Sequence, residues 1–230
     1  MIRVLLSLLV GFIYFSGCAQ TWMNQSAINT TDTLESFLVR KNPPYVYSTQ
    51  LNHREVGIGN KILRGNVYAA GFNVAIGAFL VVAPVNISKW DKKNKFQLES
   101  IFRQYKKSFT APPVIDKDLW AVNFIGHPLQ GSYYYNCVRS QDAKAWHSAL
   151  FCIGQSFLWE YAWEAGMEQP SIQDFVSTPL AGILVGEASH VVTIKMSRNG
   201  FRWYEIVIVC LINPAYVLNN GFRTQRNPKH

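Results

Sequence analysis

Charge is what this sequence has least of. Asp, Glu, Lys and Arg make up 16% of its 230 residues, against about 25% in ordinary soluble domains. Hydrophobic residues reach 49% and aromatic ones 14%. That balance implies either broad contact with lipid or an unusually apolar interior. The net charge is +8, yet no long Lys/Arg block carries it; basic residues gather only loosely at 89–95 and 103–107. Anionic lipid headgroups suit this surface, as does a merely solubilising role. Nucleic acid is a poor partner for a chain that is exported.

Cysteine is scarce as well. Besides Cys18 there are Cys137, Cys152 and Cys210, an odd number that excludes a complete disulfide framework. Cys137 and Cys152 could pair in an oxidising compartment, but all three are expected to be buried small hydrophobes. No Cys-x-x-Cys occurs, which disfavours thiolate metal or redox chemistry. Also missing are a Gly-x-Ser-x-Gly elbow, a His-Glu-x-x-His helix, a phosphate loop and a dinucleotide fingerprint. No internal repeat is visible.

What is present starts at the amino terminus. Arg3 supplies a positive charge, residues 4–15 form an apolar run, and Ser16-Gly17-Cys18-Ala19 follows with small side chains. These are the three parts of a secretory signal, and the run is shorter than the roughly 20 residues a membrane span needs. Phe15-Ser16-Gly17-Cys18 resembles a bacterial lipobox, with Phe15 where Leu is usual. Lipidation of Cys18 is preferred over ordinary cleavage after Ala19, and would hold the protein at a membrane without a spanning helix.

Residues 20–60 are mixed and polar and read as an irregular tether. Residues 67–85 carry no charge and include Gly71, Gly77 and Asn73. By length this stretch could just span a bilayer. Asn73 favours a core or membrane-surface helix, because an amide facing lipid would be unpaired. A short basic amphipathic helix is expected at 96–107, after which Pro112 and Pro113 break the pattern and Asp116 or Asp118 can cap the next element. Helical patterns then cover 119–139, interrupted at Gly126-His127-Pro128, and 148–167. A third starts at Pro170-Ser171, with Ser171 and Asp174 at capping-box spacing. Thr178-Pro179 looks like a restart of that helix, which runs to about 196 before Asn199-Gly200 stops it. A last apolar helix at 201–218 breaks at Asn213-Pro214. The fold class is therefore mainly α: a bundle of about five or six helices, suited to membrane association, preceded by a signal peptide (1–19) and an irregular arm (20–60). The helical domain covers 61–220, and 221–230 is a polar tail.

Polar residues are set into these apolar helices. Asn123, His127, Gly131 and Tyr134 share one face. Glu160 and Glu164 are four apart, and Glu187 and His190 three apart. Gly182 and Gly186 form a small-residue seam that allows close helix approach. Buried carboxylates need partners, and Arg139, His127 and His190 are the candidates. A Glu–His or Glu–Glu pair could do acid/base work, with His127, Glu160 and Glu164 as catalytic candidates. A carboxylate-bridged metal site characteristically needs two Glu-x-x-His units; only Glu187-Ala188-Ser189-His190 supplies one, so no metal or other cofactor is assigned. The leading expectation is a structural polar network of Asn123, Arg139, Asp174, Glu187 and His190, which fixes helix register.

Three blocks go further. Asp118-x-Trp120-x-x-Asn123-x-x-Gly126-His127-Pro128-x-x-Gly131-x-x-Tyr134-Tyr135, Trp159-Glu160-Tyr161-x-x-Glu164, and Glu168-x-Pro170-Ser171-x-x-Asp174-x-x-x-Thr178-Pro179-x-x-Gly182-x-x-x-Gly186-Glu187 resemble the bacterial domain-of-unknown-function family 3943, over about 116–190. The resemblance implies an envelope protein of Gram-negative bacteria and carries over no catalytic residue. It makes His127, Glu160, Glu164, Asp174 and Glu187 motif positions, which suggests that they act as one unit. The expected role is a non-catalytic structural or interaction module facing the periplasm, anchored by lipidated Cys18 to the outer membrane and open to an envelope protein partner. The competing role is an envelope enzyme acting on lipid or cell-wall material.

Overall fold

The computed structural model describes residues 56–88, 90, 96–115, 119–198 and 200–222. The signal segment with Cys18 and Ala19, the arm up to residue 55, the capping Asp116 and Asp118, Asn199 and the tail after 222 lie outside the described residues. Within them the chain is mainly α, with eight α-helices and no strand; a lone parallel bridge joins Val114 to Ser171.

The helices are α1 (Ile58–Val82), α2 (Val85–Ser88), α3 (Leu98–Thr110), α4 (His127–Arg139), α5 (Ala145–Leu158), α6 (Ile172–Ser197), α7 (Trp203–Ile212) and α8 (Pro214–Asn220). Two single π-turns, Val122–Gly126 and Trp159–Trp163, lead into α4 and out of α5. The first has a local cause. Pro128 in the first turn of α4 has no N–H, and its ring crowds the carbonyl four residues back. The wider π-turn, closed by the His127 N–H on the Val122 carbonyl, relieves that crowding.

α4 is the hub. It packs on α6, α5, α1 and α8, and only Leu129 and Arg139 of its residues are not buried. α6 lies parallel to it, since His127 meets Asp174 and Thr178 near both helix starts while Arg139 meets Glu187 farther along. α1 runs the opposite way, with Asn73 at Tyr134 and the Lys61 carbonyl at Gln141. The α4–α6 contact is backbone on backbone. An added Cβ at Gly131 would fall onto the Thr178 carbonyl oxygen, and one at Gly182 would sit 2.5 Å from the Gly131 Cα. Any side chain at either position would push the two axes apart.

The distribution of polarity is inverted. The buried positions of α4 include His127, Gln130, Ser132 and Asn136, and across the described residues more polar or charged side chains are buried than hydrophobic ones. Outward faces carry Phe79 and Val82 on α1, Leu180 and Leu184 on α6, and Leu211 on α7, the last 75% exposed. Soluble domains arrange their residues the other way round.

Two sequence expectations change here. The first helix starts at Ile58, inside the residues assigned to the tether and ahead of the uncharged run. Lys61 lies buried in its opening turn, and its carbonyl accepts from Gln141, just past the end of α4. Thr178-Pro179 does not restart a helix, because Pro179 sits inside a continuous α6. The opening of α6 is as expected, with Ser171 Oγ accepting from the Asp174 N–H.

Candidate functional site

The polar residues form two clusters rather than one unit. From Asp174 to Glu187 along α6 is about 20 Å at 1.5 Å per residue, and each belongs to a different group.

The first cluster lies where α4 and α6 begin. His127 Nδ1 is 3.1 Å from Thr178 Oγ1, and His127 Nε2 is 3.4 Å from Asp174 Oδ1. Glu160 is buried on the π-turn after α5, and its Oε2 accepts the Ser171 N–H at 2.9 Å. That places a carboxylate at the amino end of α6, where the helix dipole favours an anion. Glu164 accepts from the Trp159 indole at 2.6 Å. The spacing that put Glu160 and Glu164 on one face assumed an α-helix; the π-turn separates their partners. Asn123 is buried in the π-turn before His127.

The second cluster lies toward the far ends of the same helices. Arg139 clamps Glu187 with two hydrogen bonds, Nε to Oε2 at 2.8 Å and Nη2 to Oε1 at 3.0 Å. Its third nitrogen donates to the Ala143 carbonyl, and the Tyr135 hydroxyl donates to Glu187 at 2.5 Å. Bidentate geometry of this kind is strong and directional. His190 is buried nearby on α6, and no hydrogen-bond partner reaches its Nδ1.

Between the clusters runs a set of amides and tyrosines that spacing alone did not single out. Asn136 Nδ2 donates to the Ser132 and Gly186 carbonyls and to Ser189 Oγ. Gln130 donates to the Tyr134 hydroxyl, which lies 2.6 Å from the Asn73 amide. In the orientation that satisfies both ends of that amide, its oxygen accepts from the Trp163 indole at 3.1 Å. Asn73 is fully buried, as its position in an apolar run implied. The available signal for the others was a polar side chain inside each apolar helical stretch, beside Tyr133-Tyr134-Tyr135.

This arrangement offers little to a substrate. His127 and Asp174 keep 8% and 6% of their side-chain surface. An open groove of about 710 Å³ runs between α5 and α6 over Trp146, Ile183 and Leu184, reaching Tyr135 and Glu187; His127, Glu160 and Glu164 are not among its lining residues. No group of three or more His, Cys, Asp or Glu side chains is gathered for a metal among the described residues. Cys137 and Cys152 are free and buried, whereas Cys210 is exposed, contrary to the expectation of burial. Only Val209 of α7 is buried, so its neighbour faces outward. Away from the clusters, the Tyr105 hydroxyl of α3 is pushed above its usual range by burial and donates to the Ala162 carbonyl at 2.6 Å.

Residues 112–215 match the family model described as Domain of unknown function (DUF3943). No curated protein and no solved structure matches the chain.

Proposed function

We propose, from the match of residues 112–215 to that family, whose description assigns no activity, that the chain is an envelope lipoprotein with a non-catalytic, membrane-associated structural or interaction module. The observation that supports this most is that its acids are tied across elements, with His127, Glu160 and Asp174 buried and Glu187 held by Arg139 where it is partly exposed. Glu160 is tied to the start of α6, Glu187 to Arg139 and Tyr135, and His127 to Asp174 and Thr178. Each bond joins one element to another, so the network fixes how the helices register. The secretory signal and Cys18 support placement in the bacterial envelope, facing the periplasm and anchored to the outer membrane, with an envelope protein as a further partner.

The competing role is an envelope hydrolase using His127, Glu160 and Glu164. A buried His beside a carboxylate could move a proton, but enclosure leaves the reacting atoms of a substrate nowhere to sit. The Glu160→Gln, Glu164→Gln double variant separates the two roles. Replacing these charged acceptors by neutral amides, whose NH2 groups also face donors, is expected to cost about 2 kcal/mol, lowering the Tm of the detergent-solubilised protein by roughly 5 °C. An unchanged Tm, together with the cell phenotype of a gene deletion, would overturn the structural role in favour of chemistry.

A further inference from the structure

The outward faces of the bundle have an apolar belt, and its two borders are marked. We infer that the domain is an integral membrane unit in which α1 and α6 cross the acyl layer beside an enclosed polar α4, with lipid chains as the partner of the apolar exterior. The inference rests on the membrane-associated reading above and deepens it from attachment to insertion.

Length comes first. α1 and α6 have 25 and 26 residues and are long and apolar enough to cross a membrane. At 1.5 Å per residue each extends about 38 Å, against a hydrocarbon thickness of about 30 Å. A core helix of a soluble protein would pass the same test but would be mostly buried. Here most of both helices faces outward, with Val74, Phe79 and Val82 on α1 and Val176, Leu180 and Leu184 on α6.

Charge comes second. From residue 65 to 88 the chain has no Asp, Glu, Lys or Arg. On α6, Asp174 is buried against His127, and Glu187, partly exposed, is neutralised by the Arg139 clamp. From residue 174 to Lys195, about 31 Å, the outward side of α6 thus carries no charge outside that ion pair. Basic residues stand at both borders: Lys195, Arg198 and Arg202 at the far end, and Arg103, Lys106 and Lys107 of α3 at the near end, where α3 hangs from the π-turn after α5 through Tyr105 and Ser108. Such residues complement anionic headgroups.

Third are the aromatic side chains and α3 itself. Among the described residues, exposed tryptophans stand toward the two borders: Trp120, with Trp163 reaching in to Asn73, beside the starts of α4 and α6, and Trp146 and Trp203 toward the opposite end. Trp gathers at this depth in membrane proteins. α3 presents Leu98, Phe102 and Phe109 on one exposed stripe, the pattern of a helix lying in the headgroup plane. The polar interior then has its reason, because helices in lipid associate through small residues and hydrogen bonds rather than by hiding apolar surface.

The test compares two mature proteins in cell membranes: the natural chain, and the same chain exported on an ordinary cleavable signal so that it starts at Gln20 without lipid. Both are washed with alkaline carbonate and floated on a sucrose gradient, so that aggregates sink and membranes rise. Complete retention of both in the floating fraction is expected. Retention of the natural chain with release of the lipid-free one would overturn insertion and leave membrane attachment standing; release of both would overturn attachment too. Release as a soluble oligomer would assign the apolar faces to a second copy. Where the lipid-free chain aggregates, the natural chain decides: a carbene probe dissolved in the bilayer should label Phe79, Leu180 and Leu184, and absence of label there would overturn the inference.

Discussion

At Gly131 a single hydrogen atom in place of a methyl group decides how the two central helices meet. Gly131→Ala would drive a Cβ into the Thr178 backbone, and a clash with backbone cannot be relieved by a rotamer change. A loss of about 3 kcal/mol is expected, read as a fall in the urea midpoint of the solubilised protein. Gly154 on α5 makes the control, since an added Cβ there meets nothing. Gly154→Ala should be neutral or gain up to about 1 kcal/mol from helix propensity. The two glycines are indistinguishable by composition alone. What marked Gly131 was its place on the face that carries Asn123, His127 and Tyr134, so the close approach was legible even though its partner, Thr178, was not. The Arg139–Glu187 pair offers a second residue-scale test. Because both side chains stay partly exposed, a double-mutant cycle with Arg139→Met and Glu187→Met should give a coupling of about 1–2 kcal/mol. A coupling of zero would show that the clamp does not hold α4 to α6.

The elements were read from periodicity and punctuation, and the outcome followed how local each cause is. Ser171 and Asp174 capped α6 as their spacing implied, and Asn213-Pro214 broke the last helix, because both effects act within four residues. Pro179 misled because punctuation is local and packing is not: its missing N–H leaves the Phe175 carbonyl without a helical donor, yet α6, packed along α4, continues through it. The π-turn at Trp159–Trp163 was illegible for the opposite reason, since it shifts register by one residue without any Pro or Gly to announce it. The same holds for Cys210, whose burial could not be judged without knowing which face of α7 packs. Its exposure gives an element-scale expectation. In the native solubilised protein one thiol, Cys210, should react with a small apolar maleimide, while Cys137 and Cys152, enclosed in α4 and α5, should react only after denaturation. Mass spectrometry of the labelled protein counts the difference, and early labelling of Cys152 would mean that α5 opens away from the hub.

At the level of the whole molecule, composition pointed the right way and stopped short. Low charge and many aromatics allowed either a dense apolar core or a lipid-facing surface, and periodicity cannot tell which side of a helix is inside. The described residues supply that missing sign: many amides and hydroxyls, with Glu160 and Asp174, turn in, and most leucines, with Phe79, Phe102, Phe109 and Phe124, turn out. This also explains why motif positions that look catalytic in a list of residues become cross-braces in space. His127 and Glu187 carry the same kinds of group as an acid/base site, but about 20 Å of helix keeps their clusters apart. The matched segment, which includes α4, α5, α6 and α7, is therefore the bundle's framework, and α1 packs against its hub from outside it.

The parallel pairing of α4 and α6 has a consequence for the order of assembly. Two consecutive helices joined by a short turn lie antiparallel, so α4 and α6 can run side by side only because α5 goes out and returns the chain to the same end. During synthesis α4 emerges with α1 already made to receive Tyr133 and Tyr134, but with the α6 partners of His127, Asn136 and Arg139 still missing. α5 covers one side of it, and those α6 partners do not exist until residues 174–189 have been made. A nascent chain halted before then holds its most polar helix against α1 and α5 only, with the face meant for α6 bare, which makes it a substrate for chaperones or proteolysis. The late helix brings both the matching glycine and the matching carboxylate. Folding of this domain is thus gated by its C-terminal half.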